Sequence, residues 1–220
     1  MTAADHLIWQ PSLLDAGDDP AVDETFAGAL RIDLDRSSWI ERVPGWVANS
    51  DALFDHLVGT VDWGQRTRKM WDQEVLEPRL TSWWGAESDQ PLRPPILETM
   101  RRALSARYGV EFDSMGLNLY RDGRDSVAWH GDRIAREIAE PLVAIVSIGE
   151  PRRFLLRPKH ATEGRRSAQR LLLGRGELLV TGGATQRSWQ HSVPKVSSAG
   201  PRMSLTFRHG LLPLSRAGTL

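Results

Sequence analysis

Residues 141–158, PLVAIVSIGEPRRFLLRP, contain two short apolar runs separated by a Gly-Glu-Pro turn. Val, Ile, Leu and Phe dominate both runs, and such residues favour β-strands. Six further runs of this kind follow the same pattern, with Gly, Pro or charged residues between them. They are GLNLYR (116–121), VAWH (127–130), AQRLLLG (168–174), GELLVTGG (176–183), QHSVP (190–194) and RMSLTFR (202–208). Eight strand candidates with no helix pattern between them predict a β-sandwich or jelly roll.

The whole chain has the composition of a soluble globular protein, with 220 residues of which 40% are hydrophobic and 25% are charged. It has no cysteine, which excludes disulfides, thiolate metal sites and cysteine nucleophiles and fits a reducing cytoplasm. No segment approaches the about 20 apolar residues of a membrane span. The acidic N-terminus lacks the pattern of a signal peptide. We therefore expect a cytoplasmic protein with no membrane contact.

The net charge of zero hides an asymmetry along the chain. Residues 1–120 carry 11 Lys and Arg against 20 Asp and Glu, and residues 121–220 carry 17 against 8. A basic C-terminal half favours a polyanionic partner such as nucleic acid. Two oppositely charged faces that dock on each other would give the same numbers, and charge alone leaves both interpretations open.

Three regions are expected within one compact catalytic domain. Residues 1–62 form an acidic N-terminal extension, with a short helix that Ser50-Asp51 could cap. Residues 63–109 form a lid of loops and short strands, followed by a helix over ILETMRRALSARYG that Gly109 stops. Residues 110–220 form the jelly-roll core. The expected class is α+β, mainly β, with an N-terminal helical and lid extension.

The segment VAWHGDR places His130 and Asp132 two positions apart, which on a strand directs both side chains to one face. A second histidine would complete a 2-His-1-carboxylate triad, which holds iron(II) and leaves open positions. His191 is the natural candidate, because it lies 59 residues after Asp132 on a separate strand. We expect that strand to face the first across a sandwich. The spacing alone also fits structural histidines.

The last strand candidate, RMSLTFR, carries two arginines six positions apart. The even spacing puts Arg202, Ser204 and Arg208 on one face, while Met203, Leu205 and Phe207 point to the sandwich core. Two guanidinium groups on an inward face are costly without an anion, and carboxylates are their best partners. A dicarboxylate such as 2-oxoglutarate fits this pair. An edge strand with solvated arginines is the alternative.

The order of these motifs resembles the AlkB-type family of iron(II)/2-oxoglutarate-dependent dioxygenases over about residues 76–209. The matching residues are Asn118, Tyr120, His130, Asp132, His191, Arg202, Ser204 and Arg208. The resemblance implies a double-stranded β-helix with an N-terminal lid that grips a nucleotide. Residues 78–85, PRLTSWWG, resemble part of that lid, with Trp84 at a position where tyrosine is common.

The resemblance also implies a role for each matching residue. His130, Asp132 and His191 would bind Fe(II), while Arg208 would pair with the distal carboxylate of 2-oxoglutarate and Arg202 would hold its other end near the iron. Asn118 and Tyr120 would hydrogen-bond the cosubstrate beside Ser204, which stands where asparagine is frequent. With O2, these groups imply oxidation of an N-alkyl group, so that an N-methylated base is restored with release of formaldehyde, succinate and CO2.

The expected substrate is alkylated DNA, with single-stranded DNA or RNA as alternatives. A base that is oxidised on its methyl group must leave the base stack, and aromatic surfaces would hold it. The candidates for substrate contact are Trp71, Arg79, Trp83, Trp84 and Arg133. Core packing is the alternative for each tryptophan. Repair enzymes of this family follow HxD with acidic residues, whereas Arg133 stands there in this chain.

Two other functions remain open at this point. The same oxidative chemistry could act on a protein or a small molecule, or the fold could be an inactive jelly-roll binding module. The complete triad and the arginine pair argue against the binding module. We expect a monomer.

Overall fold

The computed structural model describes residues 7, 9, 19–70, 73–88, 90–132, 138–160 and 168–210. Within them, the strands are β1 Ala21–Val22, β2 Leu30–Asp33, β3 Ser38–Val43, β4 Val47–Ala48, β5 Thr67–Met70, β6 Gln73–Leu76, β7 Leu80–Gly85, β8 Ser114–Tyr120, β9 Val127–His130, β10 Val143–Gly149, β11 Arg152–Pro158, β12 Gln169–Leu173, β13 Glu177–Gly183, β14 Trp189–Val193 and β15 Arg202–Arg208. The helices are α1 Ser50–Thr60, α2 Pro95–Tyr108 and the short α3 Thr185–Ser188, with a 3-10 turn at Ala86–Ser88.

Two antiparallel sheets form the body of the protein. The large sheet has seven strands in the order β2-β3-β13-β10-β15-β8-β7, and the small sheet has four in the order β12-β11-β14-β9. The eight strands β8 to β15 are the eight strands predicted from sequence, and they divide equally between the two sheets. This is the arrangement of a double-stranded β-helix, so the predicted jelly roll is confirmed.

Strands from the N-terminal half extend the large sheet at both edges. β2 and β3 continue it beyond β13, and β7 pairs with β8 at the other edge. β5 and β6 form a separate hairpin. The boundaries that we expect at 62 and 109 stay a prediction. The structure adds that β2, β3 and β7 are integral to the large sheet.

Helices α1 and α2 cover the side of the large sheet that is turned away from the small sheet. Leu53, Phe54, Met100 and Leu104 of these helices belong to the same buried cluster as Met203, Leu205 and Phe207 of β15. The apolar side of β15 therefore faces the helices, whereas we expected it to face the sandwich interior.

The ends of the helices follow local backbone preferences. Gly109 ends α2 in the left-handed conformation with φ of 66°, which glycine adopts without steric penalty. Asn49 precedes α1 as its N-cap residue and also has a left-handed backbone, with φ of 52°. Ser50 and Asp51 lie inside the first turn, so they do not cap the helix as expected.

The space between the sheets holds a second apolar cluster and a polar cavity, and several residues of the cluster also line the cavity. The cluster includes Phe154, Leu156, Trp189 and Val193 from the small sheet and Ile145 from the large sheet. Among the described residues, no helix has both the length and the apolar composition needed to cross a membrane.

Candidate functional site

Three side chains that can ligate a metal ion meet where β9 and β14 pair in the small sheet. His130 ends β9, His191 lies in β14, and these two residues are direct partners across neighbouring antiparallel strands. Asp132 follows two positions after the end of β9. The histidines therefore share one sheet, and our expectation that their strands face each other across the sandwich is wrong. Cross-strand pairing brings two imidazoles together directly.

The distances within this cluster fit one metal ion. A ligand atom from each of His130, Asp132 and His191 lies within 4.8 Å of the others. Nδ1 of His130 lies 2.8 Å from the carbonyl oxygen of Ala128. This contact makes Nδ1 the protonated donor and leaves Nε2 with a lone pair for a metal.

The electrostatics also favour metal binding. Burial lowers the pKa of His191 to about 4, although the charge of Asp132 opposes this shift, so the imidazole is neutral near pH 7 and can donate a lone pair. Phe154 stacks on this ring with centroids 5.2 Å apart. Burial raises the pKa of Asp132, but the charges of Arg208 and the two histidines outweigh it and the net shift is downward. Oδ2 of Asp132 is buried without a hydrogen-bond partner among the described residues.

The large sheet contributes the opposite wall of the cavity. Arg202, Ser204 and Arg208 lie on the same face of β15, as predicted, and all three line a cavity of about 100 Å³ together with the metal cluster. In the sheet register, Arg202 pairs with Tyr120 and Ser204 pairs with Asn118. All five residues predicted to bind the cosubstrate therefore line one cavity. They are Asn118, Tyr120, Arg202, Ser204 and Arg208.

The two arginines stand in the reverse of the expected order. Nη2 of Arg208 donates to Oδ1 of Asp132 at 3.0 Å, so Arg208 marks the metal end of the cavity. Arg202 is only 1% exposed, and its Nη2 donates to Oγ of Ser147 at 2.6 Å. The guanidinium carbon of Arg202 lies 5.3 Å from the ring centroid of Tyr120. Arg202 is thus the arginine at the distal end.

A hydrogen-bonded chain connects the cavity to the lid. Nδ2 of Asn118 donates to Oγ of Ser204 at 3.3 Å, and Oδ1 of Asn118 accepts a bond from Nε of Arg79 at 3.0 Å. Arg79 also forms a 2.8 Å ion pair with Glu77, and its side chain is 14% exposed. Arg79 therefore braces the cavity wall.

The remaining candidates for substrate contact differ in position. Trp83 pairs with Gly116, lies on the same face of the sheet as Asn118, and is 39% exposed. Trp84 lies on the opposite face, packs against the helix-side core and donates from Nε1 to the carbonyl of Gln90 at 2.6 Å. The structure does not bring Trp84 to the site. Trp71 and Arg133 lie outside the described residues.

Sequence reasoning missed several residues that support the site. Ser147 is a polar residue inside the apolar run VAIVSIG, and that contrast was the available signal. Oε1 of Gln186 accepts a 3.4 Å bond from the backbone N–H of Asp132, and Nε2 of Gln186 donates to Thr181. No sequence pattern indicates Gln186 or Phe154, because their partners are distant in the chain.

The cavity fits both a metal ion and a small diacid. The metal cluster offers two lone pairs and a carboxylate oxygen that lacks a partner. Nε of Arg208 and both Nε and Nη1 of Arg202 are buried without hydrogen-bond partners among the described residues. Buried guanidinium groups in this state call for an anion. A carboxylate at each end of the cavity would satisfy them.

Comparison with known proteins agrees with this geometry. The sequence pattern of the 2OG-Fe(II) oxygenase superfamily matches residues 54–208. The chain is 35% identical over 182 residues to the cattle and human proteins named alpha-ketoglutarate-dependent dioxygenase alkB homolog 3, covering 75% of this chain and 64% of each of them. It is 32% identical to the Arabidopsis thaliana protein named DNA oxidative demethylase ALKBH2, covering 71% of this chain and 60% of that protein.

The chain thus spans less than two thirds of these curated relatives. Among solved structures, OsALKBH1 matches with a TM-score of 0.57 at 16% identity, covering 78% of this chain and 96% of that one. An oxidoreductase of the 2OG-Fe(II) oxygenase family from Burkholderia pseudomallei matches with a TM-score of 0.53 at 15% identity, covering 77% and 84%. Both show the fold alone. The chain belongs to the 2OG-Fe(II) oxygenase superfamily, whose cofactors are Fe(II), 2-oxoglutarate and O2, and the AlkB-type resemblance is confirmed.

Proposed function

We propose that this protein oxidatively dealkylates N-alkylated bases in DNA, or in RNA, with release of formaldehyde, succinate and CO2. The observation that carries the proposal is the convergence of His130, Asp132 and His191 on the cavity that also holds the buried Arg202 and the half-buried Arg208. The named relatives of the chain, an alpha-ketoglutarate-dependent dioxygenase and a DNA oxidative demethylase, support the same reaction.

In this proposal the triad holds Fe(II), and the large sheet orients 2-oxoglutarate. Bound iron and 2-oxoglutarate together supply the activation of dioxygen that oxidises a substrate C–H bond. Arg202, with Tyr120 beside it, binds the distal carboxylate. Arg208 holds the metal end of the cosubstrate, where its bond to Asp132 places it. Asn118 and Ser204 line the cavity between the two arginines.

The substrate base reaches this cavity from the side of β7. A base must leave its stack to present a methyl group to the metal, and an exposed aromatic ring stabilises it outside the stack. Trp83 is the described aromatic residue that best fits this role, because it is exposed on the cavity side of β7. Arg79 orients Asn118 and lines the cavity mouth. Trp71 and Arg133 stay candidates for contact with the nucleic acid.

The test is turnover on a panel of oligonucleotides that carry N-methylated bases, in single-stranded DNA, double-stranded DNA and RNA. Formaldehyde and succinate should form in equal amounts and require both Fe(II) and 2-oxoglutarate. Asp132→Ala should abolish turnover. His56→Ala, on the exposed side of α1, is the matched control and should keep full activity.

A different result would redirect the proposal. Succinate production without base repair on every oligonucleotide would mean that the same chemistry acts on a protein or a small molecule. Absence of 2-oxoglutarate binding would favour a jelly-roll binding module instead. A monomeric state and a cytoplasmic location belong to the proposal as well, and light scattering and cell fractionation would test them.

A further inference from the structure

The small sheet has an outer face that carries arginines. The inward residues of β11, such as Phe154 and Leu156, are buried in the core, and the alternating residues point away from it. We define the outer face by the exposed and half-buried residues on this far side of β9, β11, β12 and β14. They are Trp129, Arg153, Leu155, Arg157, Arg170, Leu172 and Gln190.

The charge on the outer face has one sign. Arg153, Arg157 and Arg170 are all exposed, and none of the seven outer-face residues is acidic. Within the described part of the chain, no carboxylate lies at ion-pair distance from any of the three arginines. By contrast, the exposed arginines Arg102 and Arg124 both form ion pairs. The outer face therefore lacks an internal counter-charge.

The three arginines are close neighbours on the sheet. Arg170 pairs with Leu155, which lies between Arg153 and Arg157 on β11. Arg170 is thus the diagonal neighbour of both, at about 7–8 Å between backbone positions. Like charges at this spacing repel each other, and an anion that extends across the sheet would offset the repulsion. The exposed fraction of Leu172, 58%, adds an uncovered apolar surface beside them.

The outer face is continuous with the entrance to the metal site. The guanidinium carbon of Arg157 lies 4.2 Å from the ring centroid of Trp129, and Arg157 also donates to Oε1 of Gln190. Trp129 lines a cleft that it shares with His130 and Arg79, which also line the catalytic cavity. A chain with one unit in the cavity can therefore follow this cleft onto the outer face.

We propose that the outer face binds the sugar-phosphate backbone of the nucleic acid strand whose base occupies the cavity. This inference rests on the proposed function. Its physical basis is the match between one unneutralised row of guanidinium groups and a polyanion, with an aromatic side chain where the row meets the site. The contacts are to phosphates, so the outer face contributes affinity that is independent of sequence.

The experiment compares two charge-matched double variants. Arg153→Gln/Arg170→Gln removes two charges from the outer face, and Arg31→Gln/Arg102→Gln removes two from the large-sheet edge and α2. Affinity is measured by fluorescence anisotropy on a single-stranded oligonucleotide of about 16 nucleotides with one N-methylated base, at several salt concentrations. Each phosphate contact on a single strand contributes about 0.7 to the slope of log K against log salt.

The outer-face variant should lower that slope by about 1.4 and weaken binding about 25-fold at 0.1 M salt. The control variant should bind like the wild type. Equal losses in both variants would indicate a general charge effect and overturn the proposal. Wild-type binding by the outer-face variant would also overturn the proposal. A change in the oligomeric state of that variant would overturn it too, because it would show that the face is a protein–protein contact.

A methylated trinucleotide separates this proposal from the proposed function. It fills the cavity but is too short to extend over the outer face, because Arg153 lies four residues along β11 from Arg157, about 13 Å away. The outer-face variant should turn over the trinucleotide at the wild-type rate. If the wild type turns over neither substrate, the proposed function fails, and the salt slope for the longer oligonucleotide still decides on the outer face.

Discussion

Arg202→Met should have opposite effects on the stability of the protein and on its affinity for 2-oxoglutarate. In the protein without ligands, Arg202 is a buried cation that donates to Ser147, and its Nε and Nη1 have no hydrogen-bond partner among the described residues. Burial lowers the pKa of its guanidinium, although the Tyr120 oxygen opposes this shift. Replacement of a buried ion by an apolar side chain of similar volume is often neutral or stabilising by about 1–4 kcal/mol. The lost bond to Ser147 subtracts about 1 kcal/mol.

The net expectation is that Arg202→Met raises the free energy of unfolding by about 0–3 kcal/mol. Cosubstrate binding should move the other way. Two hydrogen bonds between a guanidinium and a carboxylate contribute about 3–6 kcal/mol together. Their loss weakens 2-oxoglutarate binding by roughly 10²–10⁴-fold.

Arg208→Met is the matched comparison, because its guanidinium has an ionic partner. Removal of Arg208 leaves the carboxylate of Asp132 buried without its 3.0 Å ion pair. Loss of one partner of a buried pair costs about 3–5 kcal/mol. The two substitutions, identical in chemistry and on the same strand, should therefore change stability in opposite directions.

The assay is denaturant unfolding without ligands and with saturating 2-oxoglutarate, using Mn(II) in place of iron and no oxygen. At ligand concentrations of about 100 times the wild-type Kd, the wild type should gain about 2.7 kcal/mol, and Arg202→Met should gain at most about 0.4 kcal/mol. Both expectations are contradicted if Arg202→Met is less stable than the wild type without ligands and still gains stability with 2-oxoglutarate. That result would mean that Arg202 is a structural residue.

Three further predictions concern the scaffold of the site. Oδ2 of Asp35 accepts a 2.8 Å bond from Nε1 of Trp189; burial raises the pKa of Asp35, but this bond and those from nearby residues outweigh it and lower the pKa from 3.8 to about 2. A lowered pKa stabilises the fold above pH 3.8, and the contribution disappears as the pH falls to about 2. The carboxylate is partly exposed, so Asp35→Asn should lower the free energy of unfolding by on the order of 1 kcal/mol at pH 7. In acid unfolding curves the difference from the wild type should vanish, and a difference that persists at low pH would contradict this assignment. A Cβ at Gly116 would lie 3.0 Å from Nη1 of Arg208, so Gly116→Ala should weaken 2-oxoglutarate binding with little loss of stability. Calorimetry would measure the affinity and thermal unfolding the stability, and an unchanged affinity would rule out this contact. Gly109→Ala places a side chain at φ of 66° and should destabilise the fold by about 1 kcal/mol without any effect on turnover.

The eight core strands and the helix α2 could be predicted because their signals are local. Alternating apolar residues, turn residues and Gly109 act within a few positions of each other. The same alternation predicted that Arg202, Ser204 and Arg208 share one face of β15, but not that this face turns to the space between the sheets. In contrast, β2 joins the large sheet with the sequence LRID, which carries two charged residues among four. Its place depends on the distant partner β3, and no local pattern encodes it.

The candidate site shows the same division. The order of residues in the chain was enough to predict His130, Asp132 and His191 as metal ligands. It did not predict that β9 pairs with β14. The sequence could not predict which arginine lies beside the metal cluster, because the long arginine side chain lets the guanidinium group lie far from its Cα. Positions on β15 fix where each Cα lies, but a guanidinium can extend several bonds in either direction along the cavity. Only the bond from Arg208 to Asp132 decides which arginine stands beside the metal cluster.

In the proposed site, the metal and the cosubstrate would be held by different sheets. The metal cluster comes from β9, β14 and the residues that follow β9, so a single strand pair assembles it. The cosubstrate candidates come from β8 and β15 of the other sheet. The 3.0 Å ion pair between Asp132 and Arg208 joins the two groups directly. Because a carboxylate of the metal cluster and a guanidinium of the opposite wall share this bond, occupancy at one position would change the electrostatics at the other. The proposed site would therefore couple metal and cosubstrate through an ion pair that the folded chain itself provides.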